Sequence, residues 1–317
     1  MAVRFSVLVP TYNREKHVRQ TIESVLAQTF RNFELYVVDD GSTDGTAGLL
    51  ESYGTRIHAL HQSNQGPEVA RNIAAARAQG EYLVMLDSDD LLMPCALETY
   101  DRVIQALDSP PLLIGSMTYF EDGQSPPAED GLNGKVEFYR CRDYLNKNVG
   151  VGLSNSRIVI RKVIYDEVGG VRNSSPTTFH LDDFNLILRV GTYGPCAVVK
   201  SPMTVAYRMH GSNSIRNAEA MVNGILSLIK SERNGQYPGG RPYRFVRYAC
   251  IGGIAQLWIR RALMTRCFRA ATNLGVQSAP MLAAAVAKKF VSRFYNWGTT
   301  LISLDANKST NKRLTST

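Results

Sequence analysis

Three short and almost wholly apolar runs, at residues 4–10, 33–39 and 82–86, alternate with stretches of helical spacing, and this alternation constrains the fold more than any other feature. A run that is apolar at every position suits a strand covered on both faces. Between the first two runs, Val18, Ile22, Val25 and Leu26 predict an amphipathic helix over 15–29. A second helix is expected at 46–53, entered through Ser42, Thr43, Asp44 and Gly45, residues that favour turns and N-caps. A short strand at 57–62 and an alanine-rich helix at 67–79 continue the rhythm. The expected class is therefore α/β, a mostly parallel sheet flanked by helices. Ligands bind such sheets beyond the carboxyl ends of the strands. The polar clusters fall there: Thr11-Tyr12-Asn13, Asp39-Asp40-Gly41-Ser42 and Asp87-Ser88-Asp89-Asp90. Their placement implies one shared site.

Beyond Leu91 the pattern changes. A helix is expected near 94–107, a strand near 112–119, and a loop rich in Pro, Gly and Asp at 121–134. Strands at 154–160 and 196–201 and helices at 161–168 and 182–191 follow. From about 217 the reading is helical, over 217–232, 243–273 and 279–297, with breaks at 235–242 and 275–280 and a polar, frayed end at 305–317. Charge divides at the same place. Residues 1–214 carry 20 Lys and Arg against 25 Asp and Glu, and residues 215–317 carry 16 against 3. An acidic first part and a basic last part imply different tasks. Five scattered cysteines without a CxxC pair argue against a disulfide framework or structural zinc. With no secretory signal at the first residues and no membrane-length apolar run, a cytoplasmic setting is expected.

Three carboxylates within four residues, Asp87, Asp89 and Asp90, repel one another unless a cation sits among them. A hard ion such as Mg²⁺ or Mn²⁺ takes carboxylate and phosphate oxygens. The competing role is a helix N-cap with first-turn acids. No GxGxxG, Walker or GxSxG sequence follows any strand, which removes the common dinucleotide, P-loop and hydrolase readings.

The segments Val9-Pro10-Thr11-Tyr12-Asn13-Arg14, Val37 to Thr46 (VVDDGSTDGT), Ala70-Arg71-Asn72, Gly80-Glu81-Tyr82 and Leu86-Asp87-Ser88-Asp89-Asp90 together resemble the family 2 glycosyltransferases of the GT-A fold. The resemblance spans 4–107 strongly, thins to about 214 and fades after it. It implies a GT-A domain over 1–214, with a nucleotide-binding part at 1–107 and an acceptor part at 108–214, followed by a basic helical region at 215–317. It also implies transfer of a sugar from a nucleoside-diphosphate sugar, UDP-linked, to a hydroxyl acceptor with inversion. The residues so implied at the donor are Pro10, Thr11, Tyr12, Arg14, Asp40, Arg71, Asp87, Ser88 and Asp90. Tyr12 offers a stacking face, Asp40 accepts from the base, and Arg71 approaches the nucleotide. Asp89 is the first choice as ligand to Mn²⁺ or Mg²⁺, with Asp87 and His210; Arg208 beside His210 would touch metal or diphosphate. His180-Leu181-Asp182-Asp183 resembles the acidic pair that opens a helix in the family, giving Asp183 the role of general base and Asp182 that of its neighbour and next candidate. Asp182 stands where the family carries Glu, a shorter reach.

Two other classes compete. A nucleotidyltransferase shares the sheet and metal acids but carries a Gly- and Arg-rich loop where this chain has Pro-Thr-Tyr-Asn. A non-catalytic sugar-nucleotide-binding subunit of a polysaccharide assembly would not need intact acids at 40, 87, 89 and 183. The basic tail could suggest nucleic acid, but its charges lie on apolar helices, as in Trp258-Ile259-Arg260-Arg261-Ala262-Leu263-Met264. An anionic membrane contacted peripherally from its inner face, or a lipid-linked acceptor, fits better and excludes nucleic acid as the partner.

Overall fold

The computed structural model describes residues 2–126, 134–150, 152–172, 181–211, 213, 217–305 and 312–313. Residues 127–133 of the expected loop, His180, and most of the polar end lie outside the described residues. In chain order the elements are β1 (Phe5–Thr11), α1 (Glu15–Leu26), β2 (Phe33–Asp39), α2 (Thr46–Glu51), β3 (His58–His61), α3 (Pro67–Arg77) and β4 (Tyr82–Met85). Then come β5 (Leu91–Leu92), α4 (Ala96–Ala106), β6 (Leu112–Ile114), β7 (Met117–Glu121), β8 (Val136–Cys141), β9 (Ile158–Arg161), α5 (Lys162–Glu167) and α6 (Asp182–Val190). The chain continues with β10 (Cys196–Ser201), β11 (Val205–Met209), α7 (Ala218–Arg233), α8 (Gly240–Met264), α9 (Phe268–Val291), β12 (Thr300–Leu304) and β13 (Lys312–Arg313).

The main sheet is mixed rather than mostly parallel, in the order β13-β12-β8-β10-β6-β9-β4-β1-β2-β3. The strands β3, β2, β1 and β4 pair in parallel, as the strand–helix rhythm requires, and so do β6 and β10. The antiparallel β9 inserts between β4 and β6, and β8 and β12 extend the far edge antiparallel. A three-stranded sheet, β5-β11-β7, stands beside it. Every residue of β1 and β4 is buried, which is what an apolar run covered by helices on both faces gives. One core holds α3, α6 and the C-terminal helices; the other holds α1 and α4 on the opposite side, with Val7, Val9 and Val84 turned toward it and Leu8 and Leu83 toward the first.

Four further expectations need correction. The strand near 112–119 is two strands in different sheets. The chain turns at Gly115, where a Cβ would come within 2.6 Å of the Tyr100 and Thr204 hydroxyls, so no larger residue fits. The strand expected at 154–160 begins with a 3-10 turn, Asn155–Arg157. The C-terminal helices break at 265–267 instead of 275–280: Arg266 takes a positive φ and reverses the chain, and α9 runs on through Pro280. A proline costs a helix one hydrogen bond, but α8 and α9 pack so closely that a Cβ on Gly252 would meet the Met281 carbonyl oxygen at 2.0 Å. That packing holds the helix through the proline. The tail is also not helical throughout, since β12 returns to pair with β8. No helix among the described residues is long and apolar enough to cross a membrane.

Candidate functional site

Loops at the carboxyl ends of β1, β2 and β4 meet because they are bonded to one another. The Asn13 N–H donates to Ser42 Oγ (2.8 Å), and the Thr43 N–H donates to Asn13 Oδ1 (2.8 Å). Asp44 caps α2 through the Thr46 N–H (3.0 Å) and also accepts from the Glu15 N–H (3.3 Å). A cavity of about 910 Å³ opens above them. Of the residues implied at the donor, Pro10, Thr11, Tyr12, Arg14, Asp40, Arg71, Asp87 and Ser88 line it, together with Asp89, Asp182 and Asp183. The spacing of the motifs and the topology of the sheet thus converge on one place.

Within that wall the acids have distinct surroundings. Asp40 is buried and accepts from Gln62 Nε2 (2.6 Å), the Gln65 N–H (2.8 Å) and the Gly66 N–H (2.8 Å). It therefore holds the turn into α3, where Gly66 has φ 95°, and keeps lone-pair capacity for about one further donor. Arg71 is 3% exposed and bridges two carboxylates, Asp182 Oδ2 at 2.7 Å and Asp87 Oδ1. It ties the β4 end to the start of α6 instead of standing free for a nucleotide. Burial, with the neighbouring Asp89 and Asp182, pushes Asp87 up to about 6 despite that arginine. Asp90 does not line the cavity. Its two oxygens accept from the Arg208 N–H (3.0 Å) and Ser156 Oγ (2.6 Å), so it joins β11 to the β4 end.

Asp182 and Asp183 differ sharply although adjacent. Asp182 is buried, held by Arg71 and by Asn155 Nδ2 at 3.2 and 3.1 Å. Asp183 is half-buried on the cavity wall, and its one hydrogen-bond partner among the described residues is the Phe184 N–H, 2.7 Å away. Burial, and then the charge of Asp182, raises its carboxyl well above the usual range. That is the environment of a proton acceptor.

Asp89 Oδ2 lies 2.9 Å from His210 Nε2 and 3.8 Å from Arg14 Nε. An ionised carboxylate only accepts, so the imidazole donates here. His210 does not line the cavity, and its ring stacks on His17 with centroids 5.3 Å apart. Arg208, implied at the metal or diphosphate, is instead a buried brace: it donates to the Asp89 carbonyl (2.8 Å) and to Asp122 (3.3 Å) and lies over Phe120. Among the described residues no three His, Cys, Asp or Glu side chains form a group able to hold a metal by themselves. Ser212 and Ser214, just after His210, lie outside the described residues.

Several residues on this cavity or buried behind its wall escape sequence reasoning, Glu68 being one of the buried ones. Glu68 is 2% exposed with Oε2 unpartnered, and burial followed by the charge of Asp182 raises it to about 7. Only its position after Pro67 in a first helical turn marks it, and there the macrodipole is sufficient explanation. Tyr119, Tyr207, Lys147, Trp258 and Lys288 line the cavity, brought there by β7, β11, the 144–147 turn, α8 and α9. Tyr207 stands next to Arg208 and His210 in sequence, but no local pattern announces the other four.

The model of the family described as Glycosyl transferase family 2 matches residues 6–167. Glycosyltransferase GlyG of Streptococcus pneumoniae serotype 4 is 31% identical over 195 residues, which are 57% of this chain and 65% of GlyG. This chain thus spans just under two thirds of that relative. Among solved structures, residues 1–349 of S. aureus TarS in complex with UDP-GlcNAc give a TM-score of 0.56 at 16% identity, covering 99% of both chains. The mannosyltransferase PcManGT of Pyrobaculum calidifontis, in complex with GDP-Man and Mn²⁺, gives 0.52 at 18% identity, covering 92% of this chain and 88% of that one. At these identities the two structures share the fold with this chain.

Proposed function

The chain belongs to glycosyl transferase family 2, and from that premise we propose that it moves a sugar from a nucleoside-diphosphate sugar to a hydroxyl acceptor with inversion. The observation that carries this reading is the one cavity onto which Pro10, Thr11, Tyr12, Arg14, Asp40, Asp87, Ser88, Asp89 and Asp183 converge. Tyr12, 45% exposed at the rim, presents a ring to the base, and Asp40 accepts from it with its remaining lone pair. A UDP donor is our choice between the uridine and guanosine nucleotides bound by the similar structures.

Asp183 takes the proton of the acceptor hydroxyl as that oxygen attacks the anomeric carbon and the nucleoside diphosphate leaves. Its raised affinity for a proton suits this task. Asp182 keeps α6 in place through Arg71 and Asn155. A divalent ion fits Asp89, with Asp87 on the same cavity wall, because Mg²⁺ and Mn²⁺ are commonly held by one or two carboxylates plus substrate phosphates. His210, off the cavity, would orient Asp89 through its hydrogen bond. Such an ion would neutralise the charge of the leaving diphosphate. Burial, and after it the charges of neighbouring carboxylates, lifts Asp87 and Asp90, and a cation would relieve that repulsion.

The exposed face of α8, α9 and the turn after them carries Met264, Phe268, Phe290 and Phe294, each at least 59% exposed, among Arg260, Arg261, Arg266, Arg269 and Arg293. Apolar side chains among arginines suit an anionic membrane surface. The test of the catalytic reading is release of nucleoside diphosphate from UDP- and GDP-sugars with Mn²⁺ and with EDTA. Metal-dependent release from a UDP-sugar supports it. No release from any donor, or equal release in EDTA, overturns the donor or the metal assignment respectively.

A further inference from the structure

The same cavity continues past the catalytic acids into an arm of different chemistry. Its wall on α8 is formed by Cys250, Gly253, Ile254, Leu257, Trp258 and Arg261. These fall at spacings of three and four and so lie along one helical face. The stripe is about 16 Å long at the helical rise per residue. Ile254 and Trp258 are buried and Leu257 is half exposed, so the stripe runs from the interior to the outer apolar surface. Gly253 leaves open space, since a Cβ there would meet nothing within 4 Å.

At the inner end stand two lysines. The Lys147 ammonium lies 3.6 Å from the centroid of the Tyr144 ring and 3.5 Å from the Tyr144 carbonyl oxygen. The Lys288 ammonium bonds the Leu145 carbonyl and lies 5.6 Å from the centroid of the Trp297 ring. Two cations are thus held at the carbonyls of adjacent residues, half-buried, and among the described residues neither forms an ion pair with a carboxylate. Cations removed from water without a counter-charge are costly. Burial, together with the charge of Lys147, pushes Lys288 down to about 8. An anion with several oxygens, placed between the two ammoniums, satisfies both.

We propose that this arm is a subsite for a single-chain lipid phosphate: Lys147 and Lys288 hold the phosphate, and the Ile254–Leu257–Trp258 face takes the start of the hydrocarbon chain. That the lipid carries the sugar acceptor rests on the transferase reading above; the binding site does not. A phosphate at the lysines is desolvated on the protein side and gains charge-assisted hydrogen bonds from both. The hydrocarbon covers an apolar stripe and leaves toward the exposed apolar surface of the same helix.

The only two tryptophans of the chain, Trp258 and Trp297, border this arm or underlie its lysine, so intrinsic fluorescence reports on it. The full chain is titrated with dodecyl phosphate below its micelle concentration, with dodecanol and with inorganic phosphate. Saturable binding of dodecyl phosphate, at least about 10-fold tighter than either other ligand, is expected. The double variant Lys147→Met, Lys288→Met loses that preference for phosphate. Gly253→Leu, which has room to fold, weakens the alkyl phosphate while leaving inorganic phosphate unchanged; far-UV circular dichroism confirms the fold of each. Equal binding of dodecanol overturns the role of the lysines. Equal binding of inorganic phosphate overturns the lipid part, and wild-type affinity in both variants overturns the site. Binding of UDP with Mn²⁺ is measured on the same samples. Its absence beside intact dodecyl phosphate binding refutes the donor reading and leaves the subsite standing.

Discussion

The wall of the cavity built by the strand ends and the wall built by α8, α9 and the 144–147 turn handle charge in opposite ways. On the first, Arg71 sits between Asp87 and Asp182, Asp40 is held by three donors, and Asp90 joins Ser156 to Arg208. On the second, Lys147 and Lys288 are held by backbone carbonyls and lie over aromatic rings, and among the described residues neither forms an ion pair with a carboxylate. The contrast shows which groups shape the cavity and which await a ligand. An acid already saturated by donors is a brace, however suggestive its place in a motif. An acid or a lysine on the wall with few partners is available for chemistry or binding. Asp182 and Asp183 repeat this contrast at adjacent positions.

The largest expected effect comes from breaking the brace. Arg71→Met leaves the buried Asp182 and the half-buried Asp87 without their counter-charge and is expected to lower the unfolding free energy by about 3 kcal/mol. Urea denaturation measures it. A loss below about 1 kcal/mol would show that the first wall does not depend on this pair.

Asp183→Asn should fold and bind UDP as the wild type does, while kcat falls by about 100-fold or more. In the wild type, activity should decline as pH drops through the raised pKa of Asp183, because the protonated acid cannot accept. If Asp182→Asn lowers kcat with unchanged stability and Asp183→Asn does not, the two acids exchange roles.

Glu68 gives a prediction with a definite sign. Its pKa is raised from 4.5 to about 7 by burial, so the folded state favours the protonated form. Its contribution to stability is fully present below about pH 4.5 and is lost as pH rises through about 7. Glu68→Gln stays neutral and should therefore match the wild type in acid and exceed it by up to about 3 kcal/mol above pH 8. Thermal unfolding at pH 4 and pH 8.5 compares the two. An equal difference at both pH values would mean that Glu68 does not titrate between them.

The smallest effect belongs to the outer surface of the second wall. Binding to anionic vesicles should contribute about 1 kcal/mol per basic residue near the surface and weaken as salt screens it. Reversing the charge of Arg260, Arg266 and Arg269 should reduce co-sedimentation with anionic vesicles and leave donor hydrolysis unchanged. Equal binding to neutral vesicles would instead assign the contact to Phe268, Phe290 and Phe294 alone.

The half of the fold that could be read in advance is the half whose signals are local. Strands β1, β2 and β4 are apolar at nearly every position because helices cover both faces, and their turns carry the polar clusters. Strands β8, β11 and β12 escaped because VEFYRC, VAYRM and TLISL are short and mixed, and they become strands by pairing with a distant edge. Gly275 and Pro280 predict a helix break because such residues break helices alone, but α9 runs through both, since helix packing outweighs one lost hydrogen bond.

By itself the sequence determined the class of fold and the fact that residues 10–14, 40–46 and 87–90 share one end of one sheet, which follow from period, strand order and turn chemistry acting over a few residues. The family follows from the resemblance carried by the linked motifs between Val9 and Asp90. Tertiary structure decided which acids are spent and which are available: Asp90 is paired away from the cavity, and of the two on its wall Asp182 is held by Arg71 and Asn155 while Asp183 keeps one partner among the described residues. It also brought Lys147, Trp258 and Lys288, more than 100 residues apart at the extremes, onto the cavity that the N-terminal motifs define. Burial and pairing depend on which distant side chains arrive at the same point, and no local pattern encodes that arrival.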